Sequence, residues 1–302
     1  MALTRRLSLS QLCQLATLDC SMIGKLGSNQ VRTLSYLQFP VHTTNGRTPN
    51  TLFCQGLGAT WDLPLPMQLQ QHFKKRGYQF TRFQYRFTDD QQRVWNVKTW
   101  VEDIITLIDR FYEQTGPLNL FAVSAGAQAA LRAALERQSK IHRIALVAPG
   151  VGLDLDYMER VKPGSRRQLE RGEVVMHPGL KGGFERSVDY ENLMEFGYGC
   201  PVNTSEKIAL DVPMQIVHSI GDPLVPYTNS VRLARKLPKG KCHLQLLNDN
   251  THVYTTATAD ILQFADRLID AMWHDQDAIP HDLHYAIEKR GAAGQNLNVG
   301  HI

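Results

Sequence analysis

The chain has 302 residues, 43% of them apolar, enough to bury one large core without requiring two independent domains. Its 33 basic and 29 acidic residues are scattered along the sequence, and a net charge of +4 spread this way argues against a nucleic-acid partner. No apolar run approaches the ~20 residues of a membrane-spanning helix, so no integral membrane segment is expected.

The first 36 residues set Arg5, Arg6, Lys25 and Arg32 against the single acid Asp19, with eight Ser/Thr and leucines at helical spacing. Two readings stay open for residues 1–36: an organelle transit segment, which is basic, Ser-rich and poor in acids, or an N-terminal helix packed on the domain. From residue 37 onward, strand-like and helix-like segments alternate. Residues 51–56 (TLFCQG) and 78–85 (YQFTRFQY) read as strands, 97–114 as an amphipathic helix and 118–124 (LNLFAVS) as a strand running into the alanine-rich helix AGAQAALRAALERQ. Strands are expected again at 142–150, 212–219 and 242–248, helices at VRLARKL and at ADILQFADRLIDAMW. Short continuous apolar strands separated by helices predict an α/β fold, a mostly parallel sheet covered by helices on both faces. The core is expected over 37–150 and 211–274. Residues 151–210 carry charge and glycine but no clear strand, and read as a small helical cap inserted over the strand ends. Residues 275–302 read as a polar tail. The cysteines at 13, 20, 54, 200 and 242 form no CxxC pair and are expected as free thiols.

The strand ending at Ser124 turns at once into a helix, and its neighbours Ala122 and Gly126 are small. A nucleophile on a sharp strand-to-helix elbow needs that arrangement, because the strained turn leaves no room for side chains two positions before and after. By itself, a serine ending a buried strand is more often a cap of the helix that follows. The remaining chemistry favours the elbow. Asp222 lies 98 residues on in VHSIGDPLVP and His252 another 30 on in LQLLNDNTHVY, each just past an apolar strand. Both therefore fall on loops at strand ends, where open α/β sheets bind ligands. Ser124 as nucleophile, His252 as base and Asp222 as the acid that orients it form a consistent catalytic set. In LFCQGLGAT the strand ends at Cys54, and the Leu57 amide after Gln55-Gly56 pairs with the Ala125 amide as a candidate oxyanion hole.

These motifs, with RTLSYLQ, FKKRGYQFTRFQYRF and the segments VKPGSRRQLERGEVV and FERSVDYENLMEFG, resemble the α/β-hydrolases. Within them they look like the branch of the mitochondrial palmitoyl-protein thioesterases that also act on acyl-glucuronides, and its bacterial relatives. The resemblance covers about four-fifths of the chain; Ala122 and Gln55 depart from the usual glycine and histidine, and the tail is unmatched. It implies an α/β-hydrolase fold with a short helical cap and a serine esterase or thioesterase that forms an acyl-enzyme on Ser124. No metal or organic cofactor is implied. The substrate would be a small acyl ester or an acylated protein, and the location mitochondrial, with the cytoplasm as the alternative. Cap residues Phe184, Met194 and Phe196, with Val174, Val175, Met176, Leu180 and Leu193, are candidates for an acyl pocket or for plain packing on the sheet. Two other functions stay open: a non-catalytic binding protein on this fold, which Ala122 and Gln55 would favour, and acyl transfer to an alcohol or amine by the same triad.

Overall fold

The structure is a computed structural model that describes residues 22–26, 34–38, 49–88, 94–178, 185–252, 258–269 and 286–288. Nine strands among these form one sheet: β1 (Met22–Leu26), β2 (Leu34–Gln38), β3 (Thr51–Cys54), β4 (Phe80–Gln84), β5 (Leu118–Val123), β6 (Ile141–Val147), β9 (Met214–Ser219), β10 (Cys242–Leu247) and β11 (Ala286–Glu288). Their order is β1-β2-β4-β3-β5-β6-β9-β10-β11. β2 is antiparallel to both β1 and β4, and every other pair is parallel. Every residue of β5 and β9 is buried, including the polar Asn119, Gln215, His218 and Ser219, so neither strand shows the alternation of a half-buried one.

Helices cover both faces. On one side α1 (Pro64–Lys75) and α9 (Ala259–Ile269) enclose an aromatic layer in which Phe53 packs 5.9 Å from both Phe80 and Phe121. On the other lie α2 (Val97–Thr115), α3 (Ala125–Glu136) and α8 (Tyr227–Lys236). α2 buries Val97, Trp100, Val101, Ile104, Leu107, Ile108 and Phe111, one face at three- and four-residue spacing, and Asn96 caps it by accepting from the Lys98 amide at 2.8 Å. Gly116, at φ 80, ends it. α1 is a helix that pattern reading passes over, because Pro64 and Pro66 stand where its first turn begins; proline is tolerated there since those amides have no partner within the helix.

The cap consists of α4 (Leu155–Val161), α5 (Ser165–Glu170), α6 (Tyr190–Tyr198) and α7 (Pro201–Thr204), and also of two strands. The expectation of no strand in 151–210 is corrected: β7 (Val175–His177) pairs antiparallel with β8 (Arg186–Val188). Segments of three residues are too short to show a period, and their pairing is a tertiary event. The backbone of Trp95 donates to Ser187 at 2.7 Å, tying this pair to the core.

The N-terminal boundary also moves. Residue 36 falls inside β2, and Met22–Leu26 is a strand rather than a helix, so the sheet begins well before residue 37. Residues 1–21, with Cys13 and Cys20, lie outside the described residues. In the expected tail, Ala286–Glu288 runs parallel to β10, and the rest of 275–302 is outside the description.

Candidate active site

Strand register aligns the carboxyl ends. Cys54 pairs with Ala122, Val123 with Val147, Val147 with Val217 and Ser219 with Leu247, so the loops after β3, β5, β6, β9 and β10 emerge along one edge. The chain runs outward from β3 to β4 and then returns to place β5 on the other side of β3, a topological switch where ligands bind in such sheets.

Ser124 stands at this switch with φ 51 and ψ −129, a conformation that costs a non-glycine residue energy and lifts its side chain off the strand end. It occupies the position before α3 yet makes no side-chain capping bond; its Oγ lies 3.0 Å from His252 Nε2 instead. The elbow is held by close backbone packing. Ser124 donates from its amide to Val147 at 3.1 Å and accepts at its carbonyl from Gly150 at 2.8 Å. A Cβ on Gly126 would sit 2.3 Å from the Gln55 carbonyl oxygen, and one on Gly56 would sit 2.9 Å from Ser124 Cβ. Glycine at both positions is a steric demand of the elbow.

His252 Nδ1 lies 2.6 Å from Asp222 Oδ2. With Nδ1 facing a carboxylate, the ring proton belongs there and the Nε2 lone pair faces Ser124. The loops that carry Asp222 and His252 are tied together, Ile220 donating to Leu247 at 2.8 Å and Gly221 to Asp249 at 2.9 Å. The Asp222 carboxylate is fully buried and accepts at Oδ1 from the Leu224 and Val225 amides at 2.8 and 2.9 Å. Oδ2 is also approached by His218 Nε2 at 3.0 Å. Burial pushes this carboxyl up, but the hydrogen bonds from His218 and His252 outweigh it and hold the group well below the usual carboxylate range.

A narrow, mainly apolar cavity lies beside the elbow, lined by Leu57 and Ala125 from the core, by Leu153, Tyr157, Met158, Val188, Leu193 and Phe196 from the cap, and by Trp95. No cluster of His, Cys, Asp or Glu suited to a metal ion occurs among the described residues.

No family model matches the chain. Solved structures do: the α/β-hydrolase domain-containing protein 10 from mouse superposes with a TM-score of 0.66 at 20% identity over 83% of this chain and 100% of that one. A monoglyceride lipase of Saccharomyces cerevisiae matches with a TM-score of 0.65 at 15% identity, covering 83% of this chain and 95% of its own. The chain has the α/β-hydrolase fold. Among curated relatives, the mitochondrial palmitoyl-protein thioesterase ABHD10 of Rattus norvegicus is 23% identical over 256 residues, 80% of this chain and 84% of the relative.

Of the residues singled out in the sequence, the hydrolase fold brings Ser124, Asp222 and His252 into one hydrogen-bonded chain and sets Leu57 and Ala125 on the adjoining cavity. Phe196 lines that cavity. Met194 does not: on α6 it is Leu193 and Phe196, three apart, that share the inner face, and Met194 lies about 100° around the helix from Leu193. Phe184 and Leu180 lie outside the described residues. Val174 is 53% exposed and faces away. Cys54, Cys200 and Cys242 are buried free thiols. Pattern reading passed over His218, Tyr157, His177 and Trp95. Only His218 left a signal, a histidine four residues before Asp222 at the end of the apolar pair Ile216-Val217.

Proposed function

We propose that this protein is a serine hydrolase of carboxylic esters or thioesters, with an acyl-enzyme on Ser124. One observation carries the reading: the continuous hydrogen-bonded path from Ser124 Oγ through His252 to a buried, ionised Asp222. His252 Nε2 takes the hydroxyl proton as Oγ attacks the acyl carbonyl, and Asp222 stabilises the imidazolium that forms. The carbonyl oxygen gains negative charge and is held by the Leu57 and Ala125 amides, an interaction worth about a hundred- to a thousandfold in rate per donor. The imidazolium returns its proton to the departing alcohol or thiol. Water, deprotonated by the same imidazole, then attacks the acyl carbon, frees the carboxylic acid and restores the Ser124 hydroxyl.

The acyl group belongs in the cavity against Leu193 and Phe196. The thioesterase named among the relatives makes an S-acylated protein or an acyl thioester the preferred substrate class. The same relatives carry the word mitochondrial in their name, and the basic, Ser-rich, acid-poor composition of residues 1–36 suits such an address; no helix among the described residues is long and apolar enough to cross a membrane.

The test is a series of acyl thioesters of increasing chain length, with a fluorophosphonate probe alongside. Labelling is expected at Ser124 and to vanish in Ser124→Ala. kcat/KM is expected to rise by up to roughly fourfold for each methylene buried, and Phe196→Ala to flatten that rise. Full turnover by Ser124→Ala would sink the hydrolase reading, whereas a flat series would remove only the pocket assignment.

A further inference from the structure

Three non-glycine residues among the described ones hold a positive φ, and two of them stand side by side at the elbow. β5 and β6 pair Val123 with Val147, and the residue after each is strained, Ser124 at φ 51 and the buried Ala148 at φ 43. Strain of this kind collects where a site needs a fixed geometry. The elbow accounts for Ser124, but nothing in the triad accounts for Ala148. Ala148 leads the chain into a tight turn over Pro149–Val151, in which the Val151 amide donates to the Pro149 carbonyl at 2.9 Å. The Gly150 amide, at the centre of that turn, donates to the Ser124 carbonyl at 2.8 Å. Asn229 of α8 holds the turn through its Nδ2, which donates to the Val151 carbonyl at 2.8 Å. Gly150 has no room for a side chain, since a Cβ there would lie 2.8 Å from the Ala125 nitrogen and 2.9 Å from the Ser124 carbonyl carbon.

The carbonyl that Gly150 meets and the Ala125 N–H belong to one peptide unit. That unit is planar and trans, so its C=O and N–H point in opposite directions, and fixing one fixes the other. We propose that the Gly150 amide positions and polarises the Ala125 N–H, as the outer link of a relay from Gly150 N–H to Ser124 C=O and from Ala125 N–H to the oxyanion. Hydrogen bonds in series strengthen one another: a carbonyl that accepts a proton draws electron density from its own amide nitrogen and makes that N–H a better donor. The Ala127 amide also donates to the Ser124 carbonyl, at 3.0 Å, but from within α3; Gly150 supplies the contact from outside the helix. The Ala125 N–H, in the first turn, has no partner within the helix and is left for the substrate oxygen. A donor already in place when charge develops costs no reorganisation during the reaction, which is where its value lies. Gly150 is thus a positioning residue that touches no substrate. The inference rests on the oxyanion-hole reading above and adds what sets that hole.

The experiment deletes one donor and no side chain: glycolic acid replaces Gly150 in the full-length protein, so that the amide linking Pro149 to residue 150 becomes an ester. With a butanoyl thioester, kcat is expected to fall about tenfold, the size of one well-made hydrogen bond, and KM to change by no more than about twofold. A trifluoromethyl ketone of the same chain length supplies a readout besides turnover. Ser124 Oγ bonds to its carbonyl carbon, the hydroxyl proton passes to His252, and the carbonyl oxygen becomes the anion in the hole; its affinity should fall by a similar factor. Asn229→Leu, a milder change outside the elbow, frees the turn that carries Gly150 and should lower kcat about threefold with KM held. If the ester protein does not fold, this variant decides alone. Unchanged kcat and ketone affinity, or a lowered Tm with kcat intact, overturns the inference and leaves the hydrolase reading standing. A wild type that neither cleaves the thioester nor binds the ketone overturns both.

Discussion

His218 and His252 share one atom. Both approach Asp222 Oδ2, His252 through Nδ1 at 2.6 Å and His218 through Nε2 at 3.0 Å, and His218 is itself fixed by Ser230 Oγ at 2.7 Å on its other nitrogen. His218 touches neither Ser124 nor the cavity, so its part is to position the carboxylate. His218→Leu is expected to lower kcat by roughly ten- to a hundredfold, the value of a hydrogen bond to a charged group, and to change KM much less. His218→Gln should recover part of the loss. Equal loss in kcat and KM effects, with no recovery, would mean that His218 only holds the loop.

Ser124, His252 and Asp222 act as a unit if the proposed chemistry is right. Ser124→Ala, His252→Ala and Asp222→Asn should each remove most activity, by about four orders of magnitude or more, and the double variants should lose little further. Steady-state kinetics on the three singles and the three doubles decide it; additive losses would break the triad assignment.

Gly126→Ala should disrupt the elbow, since the new Cβ would lie 2.3 Å from the Gln55 carbonyl oxygen, which is backbone and cannot swing aside. Overpacking of this kind costs about 1–3 kcal/mol or more. A lowered Tm together with reduced fluorophosphonate labelling is the expected pair of results. An unchanged Tm would show that the β3 loop can move away from α3.

The buried, neutral His177 makes stability depend on pH. Its folded pKa of about 4 is below the unfolded value near 6.5, so it supports the fold fully above 6.5 and that support is lost as pH falls from 6.5 towards 4. The full effect is about 3 kcal/mol. Thermal unfolding followed from pH 7.5 to 4 should show a steeper fall in Tm for the wild type than for His177→Gln; parallel curves would exclude His177 as the origin.

Removing the N-terminal strands should harm the protein. A chain beginning at residue 39 loses β1 and β2, uncovers the edge of β4 along its pairing from Thr81 to Gln84, and deletes Tyr36, which packs edge-on against Phe111 at 5.2 Å. Lower thermal stability and concentration-dependent association are expected, because a bare strand edge recruits other chains. A chain beginning at Met22 keeps both strands and should match the full-length protein. Light scattering and calorimetry on the two compare the outcomes.

Much of the fold was legible because its strands are covered on both faces. β5 and β9 are buried along their whole length, so their residues appear as mainly apolar runs rather than alternating ones, and observed strand ends lie within three residues of those expected. Ser124, Asp222 and His252 were legible for a related reason: each follows such a run, and parallel register carries the ends of all those runs to one edge. Where local signals were short or contradictory, the reading failed. α1 opens on two prolines, β7 and β8 span three residues each, and β1 lies in a basic, leucine-spaced stretch that reads as helix or address.

By itself the sequence determined the alternation of elements, the small residues around Ser124 and the order serine, aspartate, histidine. These are local matters of period, side-chain volume and chain order. Only the tertiary structure decided whether Ser124 Oγ would cap α3 or meet His252, because the choice depends on a loop 128 residues away. It alone brought His218 to the carboxylate, turned Leu193 rather than Met194 towards the cavity, and set Tyr157 beside His177 with Trp95 in the same wall. Hydrogen bonds and cavity walls are made by side chains that approach in space, and no spacing along the chain encodes that approach.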